Sequence, residues 1–156
     1  MQNDGCGKKV VIVGAGQAGV SMAFRLRQKG YRGSITMIGD EVWPPYQRPP
    51  LSKKYLTGEL ARDRLSLKPA ETYEENGIEL LLDRRVARVD RAARRVFFDG
   101  NDDNSLDYET LIFATGGRPR QPDDLGDTLP ENIFTLRAIS DADAMRERLA
   151  PGKHLL

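Results

Sequence analysis

A chain of 156 residues is long enough for one ordinary domain with a real core. Its 24 basic and 23 acidic residues leave a formal charge of +1, which argues against a whole-surface field for nucleic acid or anionic lipid. With 39% hydrophobic and 30% charged residues, a single cysteine (Cys6) and no apolar run near the roughly 20 residues that span a bilayer, the composition predicts a soluble protein of a reducing, cytoplasmic compartment, outside the membrane and without an internal disulfide.

Residues 1–8 read as a flexible N-terminus rather than a signal peptide. Val10, Val11, Ile12 and Val13 form a continuous β-branched run, as in a strand buried on both faces of a parallel sheet. Over residues 18–28 apolar positions recur at helical spacing, and Gly30 closes the helix as a C-terminal glycine would. "SITMIG" then predicts a second strand, which completes a βαβ unit.

Between the first strand and the helix, Gly14, Gly16 and Gly19 fit G-x-G-x-x-G, and each glycine has a physical task there. The first permits the turn, the second lets the backbone approach a pyrophosphate, and the third lets the helix lie against the sheet. The helix amides of the loop Gly14-Ala15-Gly16-Gln17-Ala18-Gly19 would bind phosphate. Asp40, about twenty residues beyond Gly19, ends the second strand where a carboxylate can accept from a ribose diol and repel a 2′-phosphate. NAD and FAD both fit this pattern.

"VWPPYQRPPLSKKYL" follows. Its four prolines exclude a helix interior or a central strand. Arg48 could pair with pyrophosphate or flavin oxygens, and Lys53 could place a cation beside a flavin ring, with Ser52 capping the short helix that carries it. A surface loop solvated by its lysines fits the same residues equally well.

Pro69 opens a short helix that ends before Gly77. "IELLLD", "RVARVD" and "RRVFFD" predict an antiparallel meander, and "TLIFATGG" predicts another buried strand. The six arginines of residues 84–95 and the acids of residues 99–109 read as solvated faces of that meander. Residues 118–131 read as loop, "NIFTL" as a strand, and "DADAMRERLA" as a helix capped by Ser140, with Asp143 completing a capping box. "PGKHLL" reads as the start of a further strand at which the chain stops. His154, the only histidine, offers no general base, and the sequence shows no metal-ligand constellation.

"GAGQAG", "YQRPPLSK" and "ATGGRPR", in that order and with an acid ending the second strand, resemble the FAD half of the oxygenase-coupled NADH–ferredoxin reductases. Apoptosis-inducing factor is similar across the same motifs. The resemblance implies a Rossmann-like α/β fold: a parallel sheet with a βαβ start plus an antiparallel meander, within a glutathione-reductase-like architecture of two dinucleotide domains. Residues 9–150 would be the FAD-binding domain, and residues 151–156 would begin an NAD(P)H-binding domain that lies outside this chain.

By the same resemblance, Gly14 through Gly19 hold the pyrophosphate, and Asp40 and Glu41 bind the adenosine ribose. The backbone of Val86 pairs with adenine, although a core valine is the plainer reading of that residue. Ala114, Thr115 and Gly116 pass close to the cofactor, and Arg48, Lys53 and Arg120 contact it, with Lys53 the candidate catalytic residue. Disulfide reductases of this architecture carry a redox cysteine pair where this chain has VWPPYQRPP, so that chemistry is excluded from these residues. The implied activity takes two electrons from NAD(P)H through FAD and passes them singly to a [2Fe–2S] ferredoxin. This chain by itself is expected to be inactive with NADH. A redox-sensing flavoprotein like apoptosis-inducing factor and a stand-alone NAD-binding module are the alternatives.

Overall fold

The computed structural model describes residues 8–100, 104–121, 129–149 and 152. The predicted N-terminal segment up to residue 7, much of the 118–131 loop, and the final residues, His154 included, lie outside the described residues. The chain divides into two compact units, one of residues 1–46 and 67–116, the other of residues 47–66 and 117–156.

The first unit is built on a four-stranded parallel sheet of order β3-β2-β1-β7. Its strands are β1 (Val10–Val13), β2 (Ile35–Ile38), β3 (Ile78–Leu81) and β7 (Thr110–Phe113). Alternate residues of the β-branched runs face opposite sides, because side chains in a strand repeat every two residues. Val10, Ile12, Ile35, Met37 and Ile78 pack with Val20 and Ala23 of α1 (Gln17–Gln28) and Tyr73 of α2 (Ala70–Glu75). Val11, Val13 and Ile38 face the other way, onto Val96 and Phe98. Ile12 and Met37 are fully buried, and each such side chain contributes about 1.5–3 kcal/mol.

The second layer is the meander of β4 (Val86–Asp90), β5 (Arg95–Phe98) and β6 (Ser105–Asp107), paired antiparallel in that order. Its six arginines are exposed, as are Asp99, Asp107 and Glu109, and two ion pairs join them: Arg95 lies 2.6 Å from Asp107, and Arg85 lies 3.5 Å from Asp99. The hydrogen bond from Arg95 holds the Asp107 carboxyl below its ordinary range.

In this unit two strand expectations need correction. "IELLLD" does not join the meander. As β3 it pairs parallel with β2, Ile35 opposite Ile78 and Ile38 opposite Leu81. The stretch between β2 and β3, which includes α2, is long enough for the crossover that parallel pairing requires. β7, expected to be buried, has β1 as its only strand neighbour among the described residues, and Phe113 is 65% exposed.

In the second unit two short 3₁₀ helices, Pro49–Ser52 and Arg62–Leu65, accompany α3 (Ile139–Arg148). "NIFTL" forms no strand. Its apolar residues Ile133, Phe134 and Leu136 are half-buried without ladder partners, and Ile133 instead donates to Pro130 in a turn. Ser52 ends the first 3₁₀ helix rather than opening it, and Lys53 follows directly. α3 begins one residue before Ser140, and its capping acid is Asp141, which accepts from the backbone of Ala138 at 2.8 Å and of Arg137 at 2.7 Å. Asp143 is engaged elsewhere. Among the described residues no helix is long and apolar enough to cross a membrane.

Candidate functional site

β1 lies between β2 and β7, so the chain runs to one side of β1 through β2 and β3 and returns on the other side as β7. Ligands of open parallel sheets bind beyond the carboxyl ends of the strands at such a reversal. The glycine loop stands there. Gly14 adopts φ +118° and donates to the Ile38 carbonyl at 2.8 Å, while Ala114 donates to the Val13 carbonyl at 2.7 Å. These bonds tie the ends of β2 and β7 to the end of β1.

The three glycines meet different surroundings. A Cβ on Gly14 would collide with the Ala114 carbonyl, and one on Gly19 with the Gly14 carbonyl and, at 3.2 Å, with Met37 Sδ. Around Gly16 a Cβ would meet nothing within 4 Å. Packing therefore demands Gly14 and Gly19, whereas Gly16 faces open space. Gly16 is also the N-cap of α1. It supplies no side-chain cap, and no acid occupies the first turn. The first amides of a helix have no intrahelical partner, and its dipole favours an anion at that end. Gln17 and Ala18, both exposed, belong to that first turn, and Ala15 links it to Gly14.

At the end of β2, Asp40 is exposed and bracketed by backbone bonds on both sides. Arg84 donates to the Gly39 carbonyl at 2.9 Å, and Asp83 donates to the Glu41 carbonyl at 3.0 Å. These bonds bring the approach to Val86 alongside Asp40. The Glu41 carboxylate accepts from the Tyr46 hydroxyl at 2.6 Å, which leaves Asp40 the more open of the two acids. The Val86 side chain packs against the Val96 and Phe98 cluster, as a core valine does. Thr115 and Gly116 (φ +69°) continue from Ala114 beyond β7.

Sequence reasoning missed Gly39. It is buried between β2 and Asp40, and a Cβ there would stand 2.7 Å from that of Ala15 in the glycine loop. The signal was the glycine immediately preceding the acid. The 83–84 turn was also missed, because no local motif marks it.

In the second unit Arg48 precedes the Pro49–Ser52 helix, and its Nη1 donates to the Arg137 carbonyl at 2.6 Å. Asp141 accepts from the amide of the same Arg137, so the proline segment is held at the start of α3. Lys53 is exposed, and its Nζ makes one long contact, 3.5 Å, to the Pro49 carbonyl. Arg120 is exposed in irregular chain.

An FAD or NAD pyrophosphate fits the glycine loop on two counts: the open space over Gly16 is what a Cβ would fill, and the uncapped helix start offers donors without a competing acid.

A family profile described as pyridine nucleotide-disulphide oxidoreductase matches residues 8–156. The chain is 43% identical over 148 residues to the probable ferredoxin reductase CtmF of Castellaniella defragrans, covering 95% of this chain and 36% of that protein. It is 42% identical over 140 residues to the rubredoxin-NAD(+) reductase of Pseudomonas putida, covering 90% and 36%. The crystal structure of the covalent putidaredoxin reductase–putidaredoxin complex aligns with a TM-score of 0.81 at 38% identity, over 90% of this chain and 34% of the reductase. The chain thus spans about a third of the length of these relatives. With the glycine loop at the sheet's reversal point, the bracketed acid after β2 and a profile match over nearly every residue, the chain belongs to the pyridine nucleotide-disulphide oxidoreductase family.

Proposed function

We propose that this chain is the FAD-binding portion of a cytoplasmic NAD(P)H–ferredoxin oxidoreductase whose nicotinamide site lies outside these residues. The observation that carries the reading is the contrast at the glycine loop, crowded at Gly14 and Gly19 and open at Gly16. Gly14, Ala15, Gly16, Gln17, Ala18 and Gly19 hold the pyrophosphate through backbone amides. Asp40 accepts the ribose hydroxyls, with Glu41 holding the turn against Tyr46 and sharing that contact. The Val86 backbone meets adenine, and Ala114, Thr115 and Gly116 border the cofactor.

Arg48, Lys53 and Arg120 are assigned to the same cofactor on the strength of the YQRPPLSK and ATGGRPR motifs. Bound FAD supplies the conversion between two-electron and one-electron transfer. Lys53 contributes a cation near the ring, and Arg48 contributes a planar donor fork. Residues 9–150 form the FAD-binding segment, and residues 151–156 lead toward the nicotinamide domain. The partner is an iron–sulfur carrier of the [2Fe–2S] ferredoxin type. The names of the relatives support a ferredoxin or rubredoxin acceptor.

Thermal shifts with FAD, FMN and NAD test this. A ligand at about 100 times its dissociation constant adds about 2.7 kcal/mol, a shift of about 5–11 °C for a domain of this size. FAD is expected to give that shift, with a smaller one in Arg48→Ala and Lys53→Ala. A shift with NAD and none with FAD would make the chain an NAD-binding module and overturn the reading.

A further inference from the structure

Among the described residues Lys53 makes one long side-chain contact, and the backbone that carries it sets where its side chain starts. That backbone belongs to a turn in which the Pro50 carbonyl accepts from both Lys53, at 2.9 Å, and Tyr55, at 3.1 Å, while the Lys53 carbonyl accepts from Thr57 at 3.0 Å. Tyr55 anchors the turn. Its side chain is buried to 2% exposure, the Arg146 guanidinium lies 5.6 Å from its ring centroid, and its hydroxyl donates to Asp143 Oδ1 at 2.7 Å. The other oxygen of Asp143 takes Arg62 Nη2 at 2.8 Å. Arg62 Nε also donates to the Tyr55 hydroxyl at 3.4 Å, so Asp143 and the arginine it binds together orient a buried phenol two residues beyond Lys53.

We infer that Asp143 is a positioning residue for Lys53, acting through the Tyr55 hydroxyl and the shared Pro50 carbonyl. The inference rests on the assignment of Lys53 to the flavin. In it Tyr55 and Asp143 have one task, to limit where the Lys53 cation can stand. A cation near the ring raises its midpoint potential, so a turn released from Asp143 lowers that potential through Lys53 alone.

The test uses the FAD-loaded protein at its natural length and reads the FAD midpoint potential, the visible absorbance band and the FAD dissociation constant. The variants are Lys53→Ala, Asp143→Asn, Tyr55→Phe and the double Lys53→Ala/Tyr55→Phe. Tyr55→Phe removes one hydroxyl and keeps the buried ring, so it serves where Asp143→Asn fails to fold. Lys53→Ala is expected to lower the midpoint and shift the band. Tyr55→Phe and Asp143→Asn are expected to shift both in the same direction by less, and to weaken FAD by about two- to tenfold, as partial release of the turn would. The double is expected to match Lys53→Ala, because the two changes act through one group. A midpoint moved by Lys53→Ala and untouched by Tyr55→Phe overturns the positioning role and leaves the flavin reading standing. A midpoint untouched by Lys53→Ala overturns the assignment of Lys53, and this inference with it.

Discussion

Arg27 donates from Nη2 to the carbonyl of Gly77, 50 positions further along the chain, at 2.6 Å. Its Nε reaches the Asn76 carbonyl at 2.6 Å, and its Nη1 reaches those of Tyr31 and Gly33 at 2.9 and 2.8 Å. One guanidinium thus joins the end of α1, the turn into β2 and the end of α2. β3 starts at Ile78, directly after this clamp, so Arg27 helps to set where β3 enters the sheet. Arg27→Ala is expected to cost about 2–4 kcal/mol in urea denaturation, since charged hydrogen bonds are worth about 1.5–3 kcal/mol each and do not add fully. Arg27→Lys should recover less than half of that, because an ammonium cannot serve carbonyls in four directions as a planar fork does.

The glycine loop separates folding from binding. Gly16→Ala adds a methyl where the protein leaves open space, at a helix N-cap, and is expected to cost at most about 1 kcal/mol of stability. Its FAD affinity is expected to fall at least tenfold, because in the proposed site the methyl stands where the pyrophosphate approaches. Gly14→Ala must adopt φ +118° against the Ala114 carbonyl and is expected to lose both stability and binding. Denaturant midpoints beside FAD titrations distinguish the two. Equal loss of stability in both variants would contradict the open cradle.

Tyr73 presents the opposite situation, a polar atom packed where nothing receives it. The residue is 1% exposed and meets Phe24 edge-on at 5.5 Å, and its hydroxyl finds no hydrogen-bond partner among the described residues. Burial pushes its pKa from 10.0 up to about 12. The folded chain then holds this proton at pH values where the unfolded chain has lost it. The stability that depends on the proton is intact below the ordinary value of 10.0 and falls as pH rises through about 12. Tyr73→Phe is expected to stabilise by about 1 kcal/mol at neutral pH. It is also expected to remove about 2 kcal/mol of the alkaline loss between these values. Denaturation of both proteins at neutral and alkaline pH reads the two effects, and a destabilised Tyr73→Phe would show that the hydroxyl is satisfied.

The parts legible in the sequence were those governed by residues a few positions apart. The run Val10–Val13 gave a strand, the spacing after it gave α1, and Gly14 and Gly19 gave the tight turn between them, because period and backbone freedom are local properties. Gly77 at φ +60° ended α2 as its position implied.

Long-range contacts decided the rest. "IELLLD" suits either kind of ladder, and only the presence of β2 beside it makes it the outer parallel strand rather than part of the meander. Nothing in "TLIFATGG" says that, among the described residues, β7 pairs on one side alone, since an edge is defined by the neighbours a strand has. Asp143 read as a capping acid. It instead receives a tyrosine from 88 positions away, while Asp141 takes the cap. Composition and periodicity thus determined which segments form the first strand and helix and where the glycine turn between them stands. Which strands pair, which backbone bonds bracket Asp40, and which partners Tyr55 and Asp143 find depended on atoms brought together only when the chain closes on itself.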